Sequence, residues 1–360
     1  MGSVVTVLAS FILSVICVFV VLKISQKKSW YDTINDRKIH TGDIPRLGGI
    51  GFAVAFIITA FFVTLFDPEF SPGLRFMLPI GALIIILISG VVDDFTPLSP
   101  AVKLFIQGLC ALCVIISGYT FTRPFFTGTG WLSALGWTAY PFSFIWIVGL
   151  ANAMNFIDGI DGLAGGISVL IAISYAAIFF FLSDTGPGIL FSLCLAAVIL
   201  GFLIFNVPLP KARIFMGDGG SQFLGFILAL LPLIVDQEAR NTLPMFHAGA
   251  LVLIPVYDTV AAIWRRLREH RRIDSPDKAH IHHKLMNLGL SYKQIDAVLY
   301  SLQIFLGAMV LLSIKITGLL SIIFLGAAYA GCLAFFAVIH YLNRSRLKSV
   351  KNASVLPVSQ

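Results

Sequence analysis

The sequence predicts an all-α polytopic membrane protein of about eleven transmembrane helices, with its N-terminus outside and its C-terminus in the cytoplasm. Three observations predict it. Of 360 residues, 58% are hydrophobic and only 12% charged, with a mean hydropathy of +0.92, a composition that no single soluble core of this size would need. Apolar runs long enough to cross a bilayer recur along the whole chain with short turns between them. The basic residues fall almost entirely on alternate connections.

The runs lie at 4–22, 48–66, 76–92, 101–118, 140–157, 162–182, 189–206, 219–235, 243–263, 294–314 and 319–342. The first has no basic stretch before it, while Lys23, Lys27 and Lys28 follow it. That order is the reverse of a cleaved signal peptide, so the run reads as a retained span. Starting outside, the chain has cytoplasmic connections at 23–47, 93–100, 152–162, 207–221 and 264–293 and a tail at 343–360, all within one membrane domain. These connections and their immediate flanks carry 21 of the 25 Lys and Arg, about five to one over the outer side, where only Arg75, Arg123, Arg240 and Lys315 fall. The net charge of +7 is therefore a property of the inner face. It suits anionic lipid headgroups and a phosphorylated substrate and gives no reason to invoke nucleic acid. The outer connections, DPEFSPG (67–73), SDTGPG (183–188), DQEARNT (236–242), KITG (315–318) and the longer Tyr119–Ala139, hold no catalytic constellation. Cys110 and Cys113 form a CxxC inside an apolar run without acidic or histidine neighbours and read as small packing residues.

The polar residues gather on the inner side. The stretch Asn152–Gly166, NAMNFIDGIDGLAGG, closes one apolar run and opens the next. Asn152, Asn155 and Asp158 are three apart and would share a helical face, with Asp161 extending it if the turn continues past Gly159. Capping would explain one of the two acids, but not two Asn and two Asp together. The first inner loop, NDRKIHTGDIPRLGGIG (35–51), sets Arg37, Lys38, His40 and Arg46 beside Pro45, Gly48, Gly49 and Gly51. Basic groups and free amides at a helix start suit phosphate. Asp93 and Asp94 end the third run in VVDDFTPLSPAVK. Adjacent residues point about 100° apart on a helix, so the two cannot play identical roles, and Lys103 is the nearest compensating cation. In KARIFMGDGGSQF (211–223), Asp218 lies among Gly217, Gly219 and Gly220 and before Ser221. That turn could present one carboxylate to Mg²⁺ and leave amides for phosphate oxygens.

The longest inner loop, 264–285, sets His280, His282 and His283 beside Arg265, Arg266, Arg268, Arg271 and Arg272, with Arg213 joining if its loop folds nearby. Three histidines suffice for zinc, but the surrounding positive charge would repel a divalent ion and attract diphosphate. Asp258, about 10 Å deeper on a helical rise, reads as a structural partner of a basic residue. That these clusters come from five separate connections on one side predicts one composite site at the inner membrane surface. An ion-coupled transporter is the rival class, but its acids would lie near the bilayer midplane on broken helices.

In order along the chain, PRLGG (45–49), DD (93–94) with Lys103, NAMNFIDGIDGLA (152–164), GDGGS (217–221) and HIHH (280–283) together resemble the polyprenyl-phosphate N-acetylhexosamine-1-phosphate transferases. That family also includes the phospho-N-acetylmuramoyl-pentapeptide transferases, and the resemblance covers nearly the whole chain. It implies an enzyme of the bacterial cytoplasmic membrane that takes UDP-N-acetylglucosamine and undecaprenyl phosphate, forms a lipid-diphosphate sugar and releases UMP. It also implies Mg²⁺, with Mn²⁺ as a substitute, held by Asp218 with Asn155 close to the same ion. Asp93, Asp94 and Lys103 match the paired acids and a phosphate-contacting lysine, acting with Asp218 in catalysis. Asp158 and Asp161 fall where the nucleoside is held, with Asn152, Arg46, His280, His282 and His283 as further substrate contacts. HIHH is similar to the N-acetylglucosamine-type enzymes that initiate O-antigen, enterobacterial common antigen or teichoic-acid linkage synthesis. The muramoyl-pentapeptide branch, which typically carries consecutive histidines, is the alternative. Lipid-facing helix surfaces leave room for a homodimer.

Overall fold

A computed structural model describes residues 2–31, 44–66, 74–121, 136–182, 187–207, 211–234, 245–272, 275, 277 and 279–355. Arg37, Lys38 and His40, the outer connections 67–73 and 236–242 and most of 119–139 lie outside the described residues. The regular elements among the described residues are all helices, with one isolated antiparallel bridge between Tyr31 and Pro45. They fall into two compact units, Met1–Gly249 and Ala250–Gln360.

The first unit holds α1 (Gly2–Lys28), α2 (Gly48–Phe66), α3 (Leu74–Phe95), α4 (Pro100–Ile116), α5 (Ala139–Ile157), α6 (Leu163–Phe181), α7 (Pro187–Asn206) and α8 (Gly217–Ile234). α8 is its centre: every residue from Gly219 to Ile234 is buried, with α2, α3 and α5 packed against it. α1 packs on α2 and α7, and α6 on α7. Apolar surface gains little by leaving lipid for protein, so helix contacts here depend on close van der Waals approach and on small residues. Gly90 of α3 meets Gly219, where a Cβ on Gly90 would stand 2.4 Å from the Gly219 Cα. Gly49 of α2 meets Gly220 in the same way, at 2.2 Å. The glycines beside Asp218 thus let α2 and α3 approach α8 at contact distance. Below them an aromatic cluster locks the crossing, with Phe52 5.3 Å from Phe202 and Phe56 6.1 Å from Phe223.

The second unit holds α10 (Leu253–Arg268), α11 (Ile281–Asn287), α12 (Tyr292–Lys315) and α13 (Leu319–Val355), led into by α9 (Met245–Leu251). α13 packs against α10, α11 and α12. Arg265, Arg266 and Arg268 close α10, where cations complement the helix dipole. Ser291 and Gln294 form a capping box that starts α12.

Among the described residues, nine helices are long and apolar enough to cross a membrane, ten if one bent pair counts as a span. Two of the eleven expected runs differ from a plain span. The run at 101–118 is the 17-residue helix α4. The run at 243–263 is the pair α9 and α10, bent by 83°. The cause is Pro255, which has no N–H to give the carbonyl of Leu251 four residues earlier. That carbonyl accepts instead from the Gln303 side chain of α12, at 2.8 Å.

Candidate active site

The site of the first unit forms where the C-terminal ends of α3 and α5 meet the N-terminal ends of α2, α4 and α8. Its frame is backbone. Gly48 and Gly49 donate to the carbonyls of Phe215 and Met216 (2.9 and 2.8 Å), and Phe215 donates to that of Pro45 (2.7 Å). The PRLGG segment therefore runs beside the one that leads into α8. The Gly48 and Gly49 amides, expected to be free for phosphate, are taken by this pairing. Gly217 turns the chain into α8 with φ of +77°, and a Cβ there would lie 2.1 Å from the Arg46 carbonyl oxygen. Only glycine fits this position.

Asp94 accepts from the amides of Asp218 (3.0 Å) and Gly219 (3.1 Å), one on each oxygen, and Arg46 stands 3.7 Å away. It thus caps the N-terminus of α8 from another helix. The expectation that these amides are left for phosphate does not hold for these two. Asp93 points elsewhere, accepting from the Leu98 amide (2.7 Å) and pairing with the Lys103 ammonium. Ser99 caps α4 and Pro100 begins it, which puts Lys103 on the first turn. Lys103 also reaches Asp218 at 3.3 Å, and the Asn155 amide donates to Asp218 (3.1 Å) and Ser221 (2.8 Å). Among these three acids Asp218 is the open one, its side chain 40% exposed against 3% for Asp93 and for Asp94.

One turn deeper, Asn152 donates to Gln107 (2.6 Å) and to the Val148 carbonyl, and Gln107 donates to Gln222 (3.0 Å). Asp158 ends α5 and Asp161 lies in the turn to α6, whose N-cap residue is Gly162, not one of the two acids. The turn is pinned by Asn206, which accepts from the Gly162 amide (2.9 Å) and donates to the Ile214 carbonyl (3.0 Å). Burial pushes the Asp158 carboxyl up to about 8, and the charges of Asp218, Asp161 and Asp94 add to the shift. Sequence reasoning missed Gln107, Gln222 and Asn206. Their signal was a carboxamide within or ending an apolar helix.

His280, His282 and His283 belong to the second unit. Asp258 accepts from the Ile281 amide (2.8 Å) and pairs with His280 Nδ1 (2.8 Å), and so is the expected structural partner of a basic residue. His282 is 2% exposed, parallel to His280 at 6.0 Å and 4.2 Å from His283. Burial drives its pKa down to about 3, with the neighbouring histidines adding to the effect, so its ring is neutral at physiological pH. Burial alone would raise the Asp277 carboxyl, but the Arg265 guanidinium bonded to it at 2.6 Å holds it below the usual range.

The donor set of the first unit fits a magnesium ion held largely by its substrate. Among the described residues, no three or more His, Cys, Asp or Glu side chains form a ready-made metal cage. Mg²⁺ does not require one: it is commonly bound by one or two carboxylates, phosphate oxygens and water. Asp218 offers the open carboxylate, with the Asn155 amide beside it. Asp93, Asp94, Asp158, Asp161 and Asp218 outnumber Lys103 and Arg46.

Fold and site together define a class: a multi-pass helical membrane protein with an acid-rich, lysine-bridged site at one end of a helix bundle. Residues 76–236 match the family described as Glycosyl transferase family 4. A probable undecaprenyl-phosphate N-acetylglucosaminyl 1-phosphate transferase of Bacillus subtilis (strain 168) is 35% identical over 304 residues, 82% of this chain and 81% of that protein. Undecaprenyl-phosphate alpha-N-acetylglucosaminyl 1-phosphate transferases of Yersinia pestis and Escherichia coli (strain K12) are 32% and 31% identical over 79% of this chain, and over 77% and 76% of their own lengths. The chain belongs to this family of polyprenyl-phosphate N-acetylhexosamine-1-phosphate transferases.

Proposed function

We propose that the protein transfers N-acetylglucosamine 1-phosphate from UDP-N-acetylglucosamine to undecaprenyl phosphate, the first membrane step of a cell-surface polysaccharide pathway. The names of the relatives support this substrate pair. The observation that carries the chemistry is the open Asp218 carboxylate, bonded at once to Lys103 and Asn155. We place the site on the cytoplasmic face of the bacterial inner membrane, because about five-sixths of the Lys and Arg fall on that side of the alternating connections.

The chemical problem is to bring one phosphate anion onto another. A lipid phosphate has a second pKa near roughly 6, so at neutral pH it is already mostly dianionic and needs little general-base help. Its oxygen attacks the sugar-bearing phosphorus in line. The bond from that phosphorus to the bridging oxygen breaks, and UMP leaves with that oxygen. Lys103, held by Asp93, offsets charge between the reactants, and Arg46 does so at the rim. Asp94 keeps α8, and so Asp218, in place through the two amides. A divalent cation bound at Asp218 and Asn155 would neutralise charge on the diphosphate.

The test is UMP release by the purified protein with undecaprenyl phosphate. UDP-N-acetylglucosamine should support it and the muramoyl-pentapeptide nucleotide should not; the opposite preference would overturn the substrate assignment. Incubation with the nucleotide sugar alone should leave the protein unphosphorylated, whereas a trapped aspartyl phosphate would replace direct attack with a covalent route.

A further inference from the structure

α4, α5 and α8 carry two matching rungs of polar side chains. Lys103 and Gln107 are four residues apart on α4, as are Asp218 and Gln222 on α8, so each pair shares a face about 6 Å apart along its helix. In the charged rung Lys103 meets Asp218 at 3.3 Å, and Asn155 of α5 donates to the same carboxylate at 3.1 Å. In the neutral rung Gln107 donates to Gln222 at 3.0 Å, and Asn152 of α5 donates to Gln107 at 2.6 Å. The same three helices contribute to both rungs.

We infer that the Gln107–Gln222–Asn152 rung is a positioning device that sets the register of α4 and α5 against α8, and so fixes where Lys103 and Asn155 meet Asp218. Gln107 and Gln222 are 1% and 3% exposed, too deep to touch a substrate. A carboxamide on an apolar helix is costly unless paired, and these two pair with each other instead of with their own backbones. A slip of one residue along a helix moves a side chain by about 1.5 Å and turns it by about 100°. Either displacement breaks a 3.0 Å bond, so the neutral rung admits one register. Gly219 and Gly225 allow α3 and α5 to lie close on α8, but contacts at glycine carry no directional bond. The rung supplies that direction.

The inference rests on the proposed transfer reaction, and its test separates the two. Gln107→Met, Gln222→Met and the double variant are compared with the parent for thermal unfolding, kcat, and KM for each substrate. Methionine keeps the length of glutamine and removes the hydrogen bond. Gln222→Met strands the Gln107 amide and Gln107→Met takes a partner from both Gln222 and Asn152, so each single variant should lower both stability and kcat. The double variant removes the mismatch between the two glutamines and leaves Asn152 its bond to the Val148 carbonyl, so its unfolding temperature should rise above that of either single variant, toward the parent's. Its kcat should stay at least about tenfold down with both KM values within about twofold, because the register is still unspecified. Recovery of kcat along with stability would show an ordinary packing role and overturn the inference. If the double variant does not fold, Gln222→Asn decides: an amide one methylene shorter should lower kcat with both KM values within about twofold, and an unchanged kcat would refute positioning. A parent that releases no UMP would instead sink the proposed reaction itself.

Discussion

At the scale of single residues, the two adjacent acids of α3 divide their work. Both Asp94 oxygens are engaged by the first amides of α8, so Asp94→Asn would turn an NH₂ toward an N–H. The expected result is a loss of about 1–3 kcal/mol in stability together with a loss of turnover. Asp93→Asn removes the carboxylate that holds Lys103 and should cut turnover at least about tenfold while leaving unfolding nearly unchanged. Thermal unfolding and kcat measured on both variants check this, and equal mild losses from both would contradict it. His282 makes a second residue-level prediction. Its pKa is about 3 in the fold and near 6.5 in the unfolded chain, so the unfolded chain binds more protons between those values. The stability its neutral burial allows is complete above about 6.5 and is lost as pH falls toward 3. His282→Asn should flatten the acid side of the unfolding profile; an unchanged profile would show that another group governs it. The acids and Lys103 were legible in the sequence because charge is expensive in an apolar run. Gln107 and Gln222 passed unnoticed because neutral amides stand out less. The cap formed by Asp94 could not be read at all, since its acceptor and donors lie 124 and 125 residues apart.

At the scale of elements, the glycines of the α8 start do more than loosen a turn. Gly90→Ala would press a methyl group onto the Gly219 Cα at 2.4 Å, whereas Gly81 on the same helix has nothing within 4 Å. Gly90→Ala should cost about 1–3 kcal/mol by overpacking and disturb the Asp94–α8 contact. Gly81→Ala should be neutral, and unfolding curves for the pair check it; equal behaviour would mean that the α3–α8 contact is not close. Hydropathy found the helices well, because a spanning element must be apolar for its full length. It could not show the 83° break between α9 and α10, since the residues on both sides are apolar. Pro255 was the available signal, and its effect depends on Gln303, 52 residues from Leu251, acting as donor to the freed Leu251 carbonyl. The glycines of GDGGS were legible as special, but whether they served flexibility or close approach depended on which helices lay opposite.

At the scale of the whole molecule, the placement of charge organises the protein. Residues from separate inter-helix segments bring Arg46, Asp93, Asp94, Lys103, Asn155 and Asp218 to one end of the first unit, where acids exceed bases. The charge bias of alternate connections, read from sequence alone, argues that this end faces the cytoplasm. The histidine motif of the second unit is ordered by Asp258, a buried acid that fixes both His280 and the start of α11. The most direct measurement is formation of lipid-linked product from UDP-N-acetylglucosamine and undecaprenyl phosphate by purified parent and Asp218→Ala protein over a Mg²⁺ series. The parent should make lipid product and UMP in equal amounts, and the variant should fall at least about a thousandfold without recovery at high Mg²⁺. Near-parental turnover by Asp218→Ala would contradict the account.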